Sequence, residues 1–135
     1  MRVEWLTTCY EVRPRDDGLS DIIGAGISGL SVPHFPARTQ MCVAAGVVMD
    51  VGENIAVIAT TVTAFDPDGN PVAELRAGGT VEVAGVATEM VTRHVHPYLV
   101  TFDAPHAGTY SITVALGTKV EASVSFDVLE DTTLR

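Results

Sequence analysis

The C-terminal part of the chain carries the plainest pattern. From Lys119 to Val128, apolar Val120, Ala122, Val124, Phe126 and Val128 alternate with Lys119, Glu121, Ser123, Ser125 and Asp127. A period of two marks a strand with one face in a core and the other in water. Just before it, Tyr110, Ile112, Val114 and Leu116 alternate with Thr109, Ser111, Thr113 and Ala115, a second strand of the same kind. Parity limits how the two join. A two-residue turn at Gly117-Thr118 pairs Leu116 with Lys119 and Val114 with Glu121. Directly paired residues share a face, so charge would enter the core. A loop of Gly117-Thr118-Lys119 removes the conflict. It sets Leu116 against Val120, Val114 against Ala122, Ile112 against Val124 and Tyr110 against Phe126, and that register is expected.

The remaining pattern is β throughout. Val3 to Val12 predicts a strand, ended by the turn cluster Arg13 to Gly18, and Leu19 to Gly24 a short one. Ser28 to Ala37, with Pro33 and Pro36, reads as loop. Met41 to Met49 and Ile55 to Phe65 are apolar on both faces, so they lie centrally or another chain covers one face. Asp66 to Pro71 is a turn by composition. Val72 to Arg76 and Thr80 to Ala87 are strands around Gly78-Gly79. His94 to Phe102 is another, and Pro97 within it predicts an edge or a bulge. Asp103 to Gly108 turns into the final hairpin, and Glu130 to Arg135 reads as a frayed polar tail. Eight or nine short strands with regular turn signals predict an all-β, immunoglobulin-like antiparallel β-sandwich, one domain over residues 1–135. Gly108-Thr109-Tyr110, at the start of a late strand, fits the tyrosine corner of such folds.

Composition narrows the function. The 135 residues are 47% hydrophobic and carry a net charge of −9, from 17 acidic against 8 basic side chains. That balance repels phosphate backbones and anionic lipid, and the closest bases, Arg13 and Arg15, run straight into Asp16 and Asp17. No nucleic acid and no membrane is expected as a partner; no apolar run approaches the roughly 20 residues of a membrane span. Cys9 and Cys42 have no metal-type spacing, and Met1 to Thr8, with Glu4, lacks the apolar core of a signal peptide. A cytoplasmic setting with free thiols follows as the expectation.

Four motifs invite chemistry. Gly24-Ala25-Gly26-Ile27-Ser28-Gly29 spells G-x-G-x-x-G. A pyrophosphate site needs a helix next, and Pro33-His34-Phe35-Pro36 would break one within two turns, so no dinucleotide is expected. His94 and His96 share one side of a strand and are the candidate metal ligands, with His34, His106 or a carboxylate as a third. Solvent-facing histidines on an amphipathic strand explain the same spacing. Asp66-Pro67-Asp68-Gly69-Asn70 resembles a calcium loop only faintly. Counted from Asp66, Gly69 stands fourth instead of sixth and Ala77 holds the twelfth place, where glutamate belongs. Ser28 lacks the G-x-S-x-G context, and Cys9 has no electropositive neighbour to activate it. No catalytic residue and no cofactor is expected.

The same residues resemble a family of small bacterial sandwich domains of unknown function. The likeness runs through Val3-Glu4-Trp5-Leu6 with Cys9, Asp17-Gly18-Leu19, Ile23-Gly24-Ala25-Gly26 and Pro33-His34-Phe35-Pro36. It continues in Phe65 to Val72 and Pro105-His106-Ala107-Gly108-Thr109-Tyr110, in order along most of the chain. The resemblance implies an immunoglobulin-like fold and assigns no activity or site residue. The chain departs from it between Gly79 and Met90, where the family's prolines are missing.

The functional expectation is a non-enzymatic structural or protein-interaction module that binds a protein partner or a second copy of itself. Val57 and Phe65, on one side of their strand and opposite Ile58 and Val62, are its candidate contacts. The alternatives are a small-ligand or metal-binding module built on His94 and His96 or the Gly24 to Gly29 loop, and a building block of a larger assembly such as a virion or secretion particle.

Overall fold

The computed structural model describes residues 2–49, 55–82 and 92–134. Among them are ten strands: β1 (Arg2–Cys9), β2 (Glu11–Pro14), β3 (Ser20–Ile23), β4 (Gly29–Val32), β5 (Ala37–Met49), β6 (Ile55–Phe65), β7 (Pro71–Glu82), β8 (Thr92–Ala104), β9 (Gly108–Leu116) and β10 (Lys119–Glu130). They form a three-stranded sheet in the order β1-β5-β8, a five-stranded sheet in the order β4-β10-β9-β6-β7, and the small hairpin β2-β3. Period-two patterning thus gives an all-β protein, with one or two strands more than the eight or nine expected.

The extra strands come from tertiary pairing that local signals hide. Val3 to Val12 divides at Tyr10, whose N–H bonds the Ile23 carbonyl, so β2 leaves β5 and pairs with β3. Gly29–Val32, read as loop, is a strand that lies parallel to Asp127–Glu130. Its prolines follow the strand and do not interrupt it. Conversely, Val72–Arg76 and the start of the next predicted strand are one strand. Gly78 and Gly79 pair with Ala59 and Ile58, and the ladder carries β7 through both glycines. Residues 83–87 of that prediction lie outside the described residues. The tail is anchored: Asp131 N–H bonds the Val32 carbonyl, and the Asp131 carboxylate accepts from the Thr133 N–H and hydroxyl.

The β9–β10 hairpin solves its parity problem differently from the expectation. Val114 faces Ala122, Ile112 faces Val124 and Tyr110 faces Phe126, as the pattern requires. The turn, however, is Gly117-Thr118, with Leu116 opposite Lys119 and Val120 opposite Ala115. A bulge at Glu121 then absorbs one residue and restores the register. Val120 is left 62% exposed as a result.

The core lies between the two larger sheets. Met41, Val43, Ala45 and Val47 of β5 meet Val62 and Ala64 of β6, Ile112 and Val114 of β9, and Phe126 and Val128 of β10. Phe102, Tyr110 and Phe126 close one end as an aromatic trio, with ring centroids 5.6 to 6.3 Å apart. Beside it the Tyr110 hydroxyl donates to the His106 carbonyl at 2.6 Å, the bond of a tyrosine corner. β5 pairs with β8 in one unbroken register, so faces alternate strictly. Its other face carries Cys42, Ala44, Gly46 and Val48, and Ala44 and Val48 are also fully buried. That second apolar face is covered within the chain, by Trp5 of β1 and by β2, which lies against β5.

Candidate functional site

Trp5 organises the outer face of the three-stranded sheet. A bulge between Val3 and Trp5 puts Trp5 opposite Gly46, beside Val95 on β8. The indole lies across Gly46; a Cβ there would sit 2.2 Å from Nε1 and Cε2. Only a glycine allows that approach. The ring stays 37% exposed and forms the floor of a groove of about 450 Å³. Leu19 and Arg15 of the β2–β3 turn line it together with Glu4 and Arg93. Both cations are held in place, Arg93 by Glu4 at 3.1 Å and Arg15 by Asp17 at 2.8 Å. Leu19 is 60% exposed, and further along β8 Leu99 is 57% exposed. Among the described residues β8 is the edge strand of its sheet, one of the two outcomes Pro97 predicts: proline has no N–H for a further strand to accept.

His94 and His96 contribute to the groove's border, yet their rings do not enter it. His94 pairs with Val47 and His96 with Ala45, both core residues, so the imidazoles point to the inner face. The ring centroids are 6.2 Å apart, and each Nε2 is buried with no hydrogen-bond partner among the described residues. Burial first, and the neighbouring His94 second, lower the His96 pKa. Protonation of His96 therefore opposes the fold. Its contribution is present above the ordinary imidazole range and is lost as pH falls.

The histidines proposed as third ligands are elsewhere. His34 precedes the start of β5 and His106 follows the end of β8, so both lie beyond the far end of the roughly 33 Å stretch of strand that begins at His94. His106 instead joins Asp66 and Asp68, the one group among the described residues that brings three ligand-type atoms within 4.8 Å. Those atoms are already engaged. Asp66 Oδ1 accepts the N–H groups of Asp68 and Asn70, both at 2.9 Å, which shapes the β6–β7 turn as its composition suggests. Asp68 Oδ2 contacts His106 Nε2 at 3.0 Å, and His106 Nδ1 meets the Ala107 carbonyl at 2.9 Å. Both contacts are donated fully only by imidazolium, so the His106 pKa is raised, first by the Ala107 carbonyl and then by Asp68. A raised folded value stabilises the pairing of the two turns below the ordinary 6.5, and the effect is lost as pH rises through the raised value. NMR titration should place His106 above 6.5, and Asp68→Asn should lower it.

The remaining candidates fall into place as scaffold. The Gly24 to Gly29 segment takes positive φ at Gly24 and Gly26 and runs into strand β4, where a pyrophosphate site would need a helix. Phe65 is half-buried on the face of β6 opposite Val62, at the start of the turn to β7. The side chains of Val57 and Ile58 lie outside the described residues. Cys9 and Cys42 face each other across β1 and β5, with the Cys9 thiol donating to the Cys42 sulfur at 3.5 Å. Among the described residues no helix is long and apolar enough to cross a membrane.

A family of unknown function, DUF6941, matches residues 4–129. The chain belongs to this family. No curated protein matches it. The DUF6941 match runs from Glu4, at the rim of the groove, to Leu129 in the last strand, and so takes in both large sheets. Sequence reasoning did not bring Trp5, Gly46, Leu19, Arg15 and Arg93 together in this DUF6941 chain. They come from four separate segments, and only one signal was available, a lone tryptophan beside a strand that is apolar on both faces with a glycine in its middle.

Proposed function

We propose that the chain is a non-enzymatic, immunoglobulin-like protein-interaction module whose contact face is the outer side of the β1-β5-β8 sheet around Trp5. The immunoglobulin reading rests on strand order. With β1 as A, β4 as A′, β5 as B, β6 as C, β7 as C′, β8 as E, β9 as F and β10 as G, one sheet is A-B-E and the other A′-G-F-C-C′. This order supports the reading: the five-stranded sheet has the G-F-C-C′ sequence of strands found in variable-type sandwiches, and Tyr110 stands where strand F carries its corner tyrosine. The hairpin β2–β3 is then an insertion between A and A′.

One observation supports the contact face: a half-exposed indole held flat over Gly46 in a groove with two positioned arginines. Tryptophan and arginine are the residue types that dominate binding energy at interfaces, and the indole, laid across Gly46, loses little freedom on binding. Leu19 and Leu99 extend the apolar surface. Phe65, the contact expected from the sequence, is more covered, so the Trp5 face takes precedence over the β6 face. The net charge of −9 works against self-association over a broad surface, which favours a different protein as partner. A reducing, cytoplasmic setting suits the two thiols.

The test is capture from the source cell's extract with wild type, Trp5→Ala and Phe65→Asp, each checked by circular dichroism to be folded at the assay temperature. We expect one stoichiometric partner, kept by Phe65→Asp and lost by Trp5→Ala. Capture indifferent to Trp5→Ala would sink the assignment of this face. Concentration-dependent dimer in native mass spectrometry, dissolved by Trp5→Ala, would keep the face and replace the partner by a second copy.

A further inference from the structure

We propose that Cys9 and Cys42 are a redox modification site, a thiol pair that closes into a disulfide bridging β1 and β5. Geometry carries the proposal. The two residues are direct partners in the antiparallel ladder. Such partners hold their Cα atoms about 4.5 to 5.5 Å apart, inside the span that disulfides bridge. The sulfurs already stand 3.5 Å apart on the same face. Bond formation needs them about 1.5 Å closer, a side-chain rotation with the backbone in place.

The two thiols differ in a way that orders the chemistry. Cys9 is 1% exposed, and burial, then the hydrogen bond to Cys42 and its charge, push its pKa up to about 12. Cys42 is half-buried and within reach of solvent. With a small disulfide such as oxidised glutathione as oxidant, the Cys42 thiolate attacks. The glutathione S–S bond breaks, a mixed disulfide forms at Cys42, and one glutathione thiolate leaves. Cys9 then gives up its proton to solvent and attacks the Cys42 sulfur, expelling the second glutathione thiolate. Two protein thiols have lost two electrons and two protons, and one glutathione disulfide has become two thiols. Burial of Cys9, which disfavours its thiolate, makes the second step the slow one.

The bridge would sit where the fold changes direction. Just beyond Cys9 the chain leaves the three-stranded sheet: Tyr10 N–H bonds the Ile23 carbonyl, and Gly26 N–H bonds the Thr8 carbonyl. A Cys9–Cys42 disulfide encloses the whole β2–β3 hairpin and β4 in one covalent loop. Restricting that loop in the unfolded chain should raise the melting temperature by roughly 5 to 10 °C.

The experiment equilibrates the native full chain across ratios of reduced to oxidised glutathione, traps free thiols by alkylation and reads intact mass and peptide maps. We expect wild type to lose about 2 Da on oxidation, with one intramolecular Cys9–Cys42 link, and to melt higher. Cys9→Ser should stop at the glutathione adduct on Cys42, and Cys42→Ser should leave Cys9 unmodified. The proposal is overturned if wild type keeps both thiols at the most oxidising ratio, or rests at the Cys42 adduct. It is equally overturned if the chain bridges only in denaturant or to a second chain. These wild-type readings decide the matter even where a serine variant fails to fold.

Discussion

Tyr110→Ala should be among the most destabilising single substitutions in the chain, costing about 4 kcal/mol. Tyr110 is fully buried near the start of β9. Its ring packs against both Phe102 and Phe126, and removing it leaves a cavity that two rigid aromatic neighbours cannot collapse to fill. Tyr110→Phe isolates the hydroxyl. It keeps the ring and removes only the bond to the His106 carbonyl, so it should cost about 1 kcal/mol. The low figure follows because His106 is on an exposed turn, where water can replace the lost donor. Urea denaturation of both variants gives the two numbers. Equal losses would mean that the corner bond, and not aromatic packing, holds this end closed.

Gly46→Ala should lower stability by about 1 to 3 kcal/mol, although a central strand ordinarily gains from the exchange. In the absence of a neighbour, replacing glycine inside a strand should stabilise by about 0.5 to 1 kcal/mol. Here the new Cβ falls 2.2 Å from the Trp5 indole, and a rigid ring cannot bend around it. The ring must swing off the sheet, and the overpacking term wins. Trp5 is the only tryptophan, so its fluorescence reports the event without ambiguity as a red shift. Partner binding should weaken at least roughly 30-fold if the indole is the anchor. The double variant Trp5→Ala/Gly46→Ala decides the cause. With the ring gone, adding the methyl should restore stability relative to Trp5→Ala alone. Additive losses would place the problem in the backbone and not in the Trp5 contact.

The sequence by itself determined the all-β class, most of the strands, and, from Ala122 onward, which side of the last strand faces inward. Those properties depend on period-two alternation, which is local and survives any change of partner strand. Pro97 marked an edge, Tyr110 a corner and Asp66 a turn for the same reason, since each acts on backbone atoms a few residues away. Tertiary structure alone decided the rest. β4 could not be read from Gly29–Val32 because its hydrogen bonds go to Asp127–Glu130, about a hundred residues away. The bulge at Glu121 solved a parity conflict for which the sequence permits more than one remedy. His94 and His96 were legible as a same-side pair, but only the β5 register turned them toward the core and away from His106. The groove was least legible of all. Its floor and walls come from β1, the β2–β3 turn, β5 and β8, and a contact such as indole on glycine exists only once distant strands lie side by side.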